Sequence, residues 1–124
     1  MEIKLLSKGE NRVFYTSKFE REVLKLRDKK SQKKVLSWLK RLESGFPSQP
    51  EKWKPLEGED CQRVFELKPK PYRVCCLVVG RDILAVNLWR IQKNRGRAKS
   101  KEIENCCKKA REVEDDFKRF IKRV

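Results

Sequence analysis

The stretch Arg63-Val64-Phe65-Glu66-Leu67-Lys68-Pro69-Lys70-Pro71-Tyr72-Arg73-Val74-Cys75-Cys76-Leu77-Val78-Val79-Gly80-Arg81-Asp82-Ile83-Leu84-Ala85-Val86-Asn87-Leu88-Trp89-Arg90-Ile91 decides the fold. It holds three strand candidates, 63–68, 72–79 and 83–91, rich in β-branched and aromatic residues. Only Pro69-Lys70-Pro71 and Gly80-Arg81-Asp82 separate them. Connections that short force antiparallel hairpins, because a parallel return needs a long crossover. The second and third runs are apolar on both faces, as central strands covered by helices are.

Upstream, residues 44–55 are rich in Pro, Ser and Gly and read as a loop. Two helices precede it. Ser17-Lys18-Phe19-Glu20 has the form of a capping box with Ser17 as the cap, and Phe19, Val23 and Leu26 then recur at helical spacing. Asp28-Lys29-Lys30-Ser31 breaks that helix. The second presents Val35, Leu39 and Leu42 on one face, flanked by Leu36 and Trp38, and ends at Gly45 before Pro47 and Pro50. Residues 1–16 read as an N-terminal strand or hairpin extension, with Ile3 and Leu5 alternating with Glu2 and Lys4 and Arg12–Tyr15 as the returning strand. Downstream, Arg90 to Lys101 is a basic loop with six Lys/Arg and no acid. The tail is the clearest helix, its Ile103, Cys107, Ala110, Val113, Phe117, Ile121 and Val124 stepping by three or four. The expected architecture is a single α+β domain over 1–124. It has a small antiparallel sheet, a three-strand meander plus the N-terminal strand or hairpin, packed on one side by two N-terminal helices and a C-terminal helix.

The chain has 124 residues, enough for one domain and one modest core. Its net charge is +15, from 33 Lys+Arg against 18 Asp+Glu. Self-repulsion of that size works against compaction and points to an anionic partner, nucleic acid first, since each neutralised phosphate releases a counterion. No stretch is apolar enough to span a bilayer, no amphipathic segment is left over for a membrane surface, and the start lacks a signal-peptide core. The expected location is the cytoplasm. Five cysteines, odd in number and including the adjacent pairs Cys75-Cys76 and Cys106-Cys107, do not resemble a secreted disulfide framework, and are expected as core or surface thiols.

There is no histidine, which removes the usual neutral-pH acid/base and most zinc sites. No Gly-rich phosphate loop is present, and no metal or cofactor is expected. What remains is cationic. Lys68, Lys70, Arg73, Arg90, Lys93, Arg95 and Arg97 lie near the strand ends or in the loop after them, with Tyr72 and Trp89 interleaved. Strand parity puts Glu66 and Lys68 on one face, opposite the core candidates Phe65 and Leu67, and hairpin pairing brings Arg73 close to Lys68. Such a cluster can grip a phosphate and stabilise developing charge, while the aromatic rings can stack on an unpaired base. The alternative for each is an ordinary solvated strand-end charge.

The strings Trp53-Lys54-Pro55-Leu56-Glu57-Gly58, Val64-Phe65-Glu66-Leu67-Lys68, Tyr72-Arg73-Val74, Ile83-Leu84, Trp89-Arg90 and Lys101-Glu102-Ile103-Glu104, in that order, resemble the phage-derived branch of the RelE/HigB-like toxins of toxin–antitoxin modules. The similarity runs from about Phe19 to Phe117. It implies a RelE-like fold, and in many members an endoribonuclease that cuts ribosome-bound mRNA by activating a ribose 2′-hydroxyl against the adjacent phosphate, without a metal. By position, Arg73 matches the arginine that holds the scissile phosphate, Lys68 the basic residue ending its strand, and Glu66 a glutamate that is either a base or structural. Arg90 and Lys93 fall where the branch places basic strand-end residues, Lys93 with an assisting role in the chemistry. Lys70, Tyr72, Trp89, Arg90, Arg95 and Arg97 would bind nucleic acid. The implied partners are a cognate antitoxin, the ribosome and its mRNA, and operator DNA through the antitoxin. Ile91-Gln92 stands where the branch often has lysines, and the usual Thr-Pro of the following loop is missing. The alternative is a non-catalytic basic protein that binds nucleic acid or a partner, or a gyrase poison of the same superfamily.

Overall fold

The computed structural model describes residues 2–91 and 96–124, the backbone path alone over 96–100. The order of elements is β1 (Ile3–Lys8), β2 (Arg12–Thr16), α1 (Ser17–Leu24), α2 (Lys29–Lys40), a 3-10 turn (Arg41–Ser44), β3 (Trp53–Pro55), β4 (Val64–Leu67), β5 (Tyr72–Val79), β6 (Asp82–Arg90) and α3 (Gly96–Arg123). The protein is α+β, with a sheet ordered β1-β2-β6-β5-β4-β3. The meander β4-β5-β6 forms as its short turns require, with Leu67 opposite Val74 and Val74 opposite Leu88.

The sheet departs from the expected one in three ways. It has six strands. It is mixed rather than antiparallel, because β2 lies parallel to β6, Val13 beside Ile83 and Tyr15 beside Ala85. The N-terminal hairpin is thereby spliced onto the meander by a pairing of residues 70 apart, which no turn signal could announce. The sixth strand, β3, falls in the segment expected as loop. It is three residues long and ends in proline, so its pattern is too short to read. What holds it is aromatic: the Trp53 ring stacks between Phe46 and Phe65, at centroid distances of 5.3 and 4.8 Å.

Helices cover both faces of the sheet, not one. α1 and α2 cover one face with Phe19, Val23, Val35 and Leu39, against Val13, Val74, Cys76 and Ile83. α3 covers the other with Cys106, Ala110, Val113 and Phe117, against Phe14, Cys75, Leu77 and Leu84. The double-sided apolar runs of β5 and β6 follow directly, each strand feeding two cores on alternate residues.

At element ends, chemistry shifts the boundaries. Thr16, not Ser17, caps α1, its hydroxyl accepting from the Phe19 amide at 3.1 Å, because Thr16 still has the extended backbone a cap requires. Asp28 ends one helix by starting the next, accepting from the Lys30 amide at 2.9 Å. α3 begins at Gly96, so half of the expected basic loop is helical; its lysines and arginines suit a helix but give no apolar period to reveal it. The turn between β1 and β2 seats on the 3-10 turn: Asn11 donates through its amide to the Glu43 carbonyl and through Nδ2 to the Leu42 carbonyl at 2.8 Å. A Cβ at Gly9 would stand 2.8 Å from the Glu43 carbonyl oxygen, so the approach needs glycine.

Four of the five cysteines are paired, Cys61 with Cys107 and Cys75 with Cys106, which corrects the expectation of thiols. Cys76 is free and buried. Strand parity separates the neighbours Cys75 and Cys76: Cys75 faces α3 and meets Cys106, while Cys76 faces α1 and α2. Among the described residues no helix is long and apolar enough to cross a membrane.

Candidate nucleic-acid interface

The adjoining ends of β4, β5 and β6 assemble a polar cluster on the α3 face. Val64 and Cys75 pack against α3, so parity puts Glu66 and Arg73 on that face too. Register places Arg73 opposite Trp89 and Cys75 opposite Asn87. A bulge in β6 beside Cys75 and Cys76 turns Asn87 into the same region. Glu66 is 1% exposed, Asn87 4% and Arg73 9%. Lys54, opposite Glu66 in the β3–β4 register, borders them from the exposed edge strand.

Glu66 stands between two cations. The Lys68 Nζ lies 3.8 Å from its Oε1 and the Arg73 Nε 3.8 Å from its Oε2. Both distances are ion-pair contacts too long for hydrogen bonds. Arg73 donates through Nη1 to the Tyr72 carbonyl at 3.0 Å, which fixes the guanidinium against its own strand. Glu66 Oε2, Arg73 Nε and Asn87 Oδ1 are buried without a hydrogen-bond partner. Burial pushes the Arg73 guanidinium below its ordinary value, and the Glu66 carboxylate opposes the shift. Buried polar atoms without a protein partner are costly unless water, an ion or a ligand satisfies them. The three charged side chains sum to one net positive charge, which suits an anion.

α3 supplies the neighbouring wall. Its Cys106 is bonded to Cys75, two residues along the strand from Arg73, and its far end reaches Arg12, which donates to the Ile121 and Val124 carbonyls. The helix therefore runs along β5 in the strand's own direction, and its first turn, free of acid, points to the Arg73 end. Residues 96–105 extend about 15 Å beyond Cys106, farther than the strand's own start.

The expected site residues divide. Glu66, Lys68, Arg73 and Trp89 come together on the α3 face, Trp89 half-buried against that core. Tyr72 packs into the opposite core, 9% exposed, and Arg90, its partner in register, is exposed at the strand end. Lys70 is exposed in the turn, its carbonyl accepting from Lys34 Nζ at 2.8 Å. Lys93 and Arg95 lie outside the described residues, and Arg97 sits in the first turn of α3 with its side chain outside them. Glu66 is not the solvated strand residue that parity against Phe65 and Leu67 implied, because α3 covers its face. Asn87 escapes sequence reasoning, since only a bulge aims it there. So does Lys54, whose strand is too short to read.

Fold and cluster together define a small α+β protein with a buried Glu–Arg–Lys group at one end of a mixed sheet. No family model matches the chain. It is 43% identical over 95 residues to an uncharacterized protein of Aquifex aeolicus (strain VF5), an alignment covering 73% of this chain and 69% of that protein. The chain belongs to the family of that protein.

Proposed function

We propose that the protein is the toxin of a toxin–antitoxin module, of RelE/HigB type, and cleaves ribosome-bound mRNA without a metal. One observation supports this best: a buried carboxylate holds Arg73 and Lys68 at an accessible strand end, with Arg73 Nε and Glu66 Oε2 unsatisfied. Arg73 would clamp the scissile phosphate. Lys68, its side chain 14% exposed, would stabilise the charge that develops as the ribose 2′-oxygen attacks phosphorus and the bond to the 5′-oxygen breaks. The 2′-hydroxyl proton would pass to the neutral form of one of Lys68 and Lys93, and the other, as ammonium, would give the leaving 5′-oxygen its proton. Glu66, 1% exposed and set between Lys68 and Arg73, would position them rather than act as base. Trp89, opposite Arg73 in register and half-buried, would stack on a base.

The partners of this reading are an antitoxin that covers the cationic surface, the ribosome with its message, and operator DNA through the antitoxin. This reading puts the protein in the cytoplasm, a compartment where disulfides such as Cys61–Cys107 and Cys75–Cys106 are rare. A non-catalytic nucleic-acid binder is the second reading, favoured by the burial of Glu66 and the lack of histidine.

Primer extension on a reporter mRNA, in cells briefly expressing the protein, tests the first reading. New cuts within the translated frame are expected for the wild type, weak ones for Arg73→Lys and none for Arg73→Ala. Growth arrest or RNA binding without any cut would favour the second.

A further inference from the structure

The outer face of α2 carries Lys29, Lys30, Lys33, Lys34 and Lys40, continued by Arg41, all exposed. At 100° per residue these six fall within an arc of about 140°, opposite Val35 and Leu39, and the row is about 18 Å long. Ser37 is the other residue of that arc. No acid interrupts it: Asp28 is spent on the helix cap, and the next acid is Glu43, in the 3-10 turn. Among the described residues none of the six cations is in an ion pair. α3 is built differently, its cations interleaved with acids and paired to Glu114 and Asp116. Solubility alone is served by mixed signs. Like charges at i, i+4, as in Lys29–Lys33 and Lys30–Lys34, work against the helix that carries them.

We propose that this face of α2 is a second binding surface, and that its ligand is the backbone of an RNA duplex adjoining the single strand that enters the Arg73 site. Three observations choose that partner. The row is straight and long enough to follow several phosphates along one strand of a duplex. It offers no ring for base stacking, which single-strand binding uses; Trp38 lies at its margin and is half-buried. It reaches, from the opposite face, the end of the sheet that carries the candidate site, because Lys34 Nζ is bonded to the Lys70 carbonyl, in the turn that joins the strand ends of Lys68 and Arg73. A membrane surface is disfavoured, since the apolar residues of α2 are turned into the core. The choice of RNA over DNA rests on the function proposed above; the phosphate-binding surface itself does not.

Fluorescence anisotropy with the full chain tests it, using a short RNA hairpin with a single-stranded tail, the tail alone, and a DNA duplex of the hairpin sequence. The tails carry 2′-deoxyribose so that none is cleaved. The variant is Lys29→Gln/Lys30→Gln/Lys33→Gln/Lys34→Gln, which removes exposed charge and relieves repulsion, and circular dichroism checks its helix content. The wild type should bind the tailed hairpin more tightly than the tail. The variant should lose at least about tenfold on the tailed hairpin, with a slope of log K against log salt shallower by about 3, and should bind the tail as before. A variant equal to wild type on the tailed hairpin overturns the surface. Equal wild-type affinity for the DNA duplex, or lysine-dependent binding to anionic vesicles as tight as to RNA, overturns the assignment to RNA. Arg73→Ala, measured alongside, separates the two ideas. If it changes neither tail binding nor cleavage in cells while the lysine variant still loses the hairpin, the site proposal fails and the α2 surface stands.

Discussion

Glu66 matters at the scale of single residues because it holds two cations that would otherwise repel one another. Replacing it with glutamine keeps the shape and removes the charge. Arg73 and Lys68 are then left close together, partly buried, with no carboxylate between them. Removing one partner of a buried pair is strongly destabilising; because both cations reach the surface here, Glu66→Gln is expected to cost about 1–3 kcal/mol in urea unfolding. A cost indistinguishable from zero would show that water already screens the cluster. Glu22 is the opposite case. Its carboxylate accepts from the Leu88 amide at 3.0 Å, closing the edge of β6 beyond the end of β2. Burial raises its pKa above the ordinary 4.5, only partly offset by that hydrogen bond and by Lys18 and Lys109. A carboxyl raised on folding binds more protons in the folded state. Its ionised form therefore costs stability at neutral pH, and the protein gains stability as pH falls through the raised value toward 4.5. Glu22→Gln keeps an acceptor for Leu88 and removes the titration. The difference in unfolding free energy between wild type and Glu22→Gln should shift toward wild type on going from pH 7 to pH 4.5, and a constant difference would contradict the assigned cause.

Among the elements, α3 depends most on covalent attachment. C-terminal to the disulfides it is anchored by Ala110, Val113 and Phe117; N-terminal to them, among the residues whose side chains are described, Ile103 is the apolar contact with the core. The bonds Cys61–Cys107 and Cys75–Cys106 close loops of 46 and 31 residues, the shorter inside the longer. Either alone is worth about 3–4 kcal/mol by loop closure, and both together less than the sum. Treatment with a dithiol reductant should lower the urea midpoint accordingly. It should also speed hydrogen exchange over 101–105 before that around Phe117 is touched, and uniform loosening of the helix would overturn this division. These cysteines mark where sequence stops informing. Parity separates Cys75 from Cys76, but partners for Cys75 and Cys106 are set by how α3 crosses the sheet, which no local pattern records. α1, α2 and the meander are legible because apolar spacing, caps and short turns act within a few residues. The parallel β2–β6 pairing acts across 70 residues, and β3 is secured by stacking rather than by strand pattern. The site divides likewise: a hairpin and parity bring Lys68 and Arg73 together, whereas the burial of Glu66 and the placing of Asn87 require knowing that a helix lies above them.

The whole molecule carries +15 on 124 residues, and that excess sets two quantities against each other. Repulsion among like charges opposes the folded state, and salt screens it over about 8–10 Å at moderate ionic strength. Binding to a polyanion draws on the same charges, and salt weakens it by reducing the gain from counterion release. Raising salt should therefore increase the melting temperature of the free protein while reducing its affinity for RNA. The α2 row should account for part of both effects, since its six cations stand close together with no acid among them. The quadruple glutamine variant should melt higher than wild type at low salt, and the two curves should converge as salt rises. A polyanion such as heparin, added at low salt, should raise the melting temperature of the wild type more than that of the variant, because a ligand stabilises the state it binds by an amount that grows with the logarithm of its concentration relative to its Kd. If the variant melts lower than wild type at every salt concentration, the lysines of α2 contribute to the fold through their methylene stems rather than opposing it through their charge, and a ligand is no longer needed to account for a row of cations without acids.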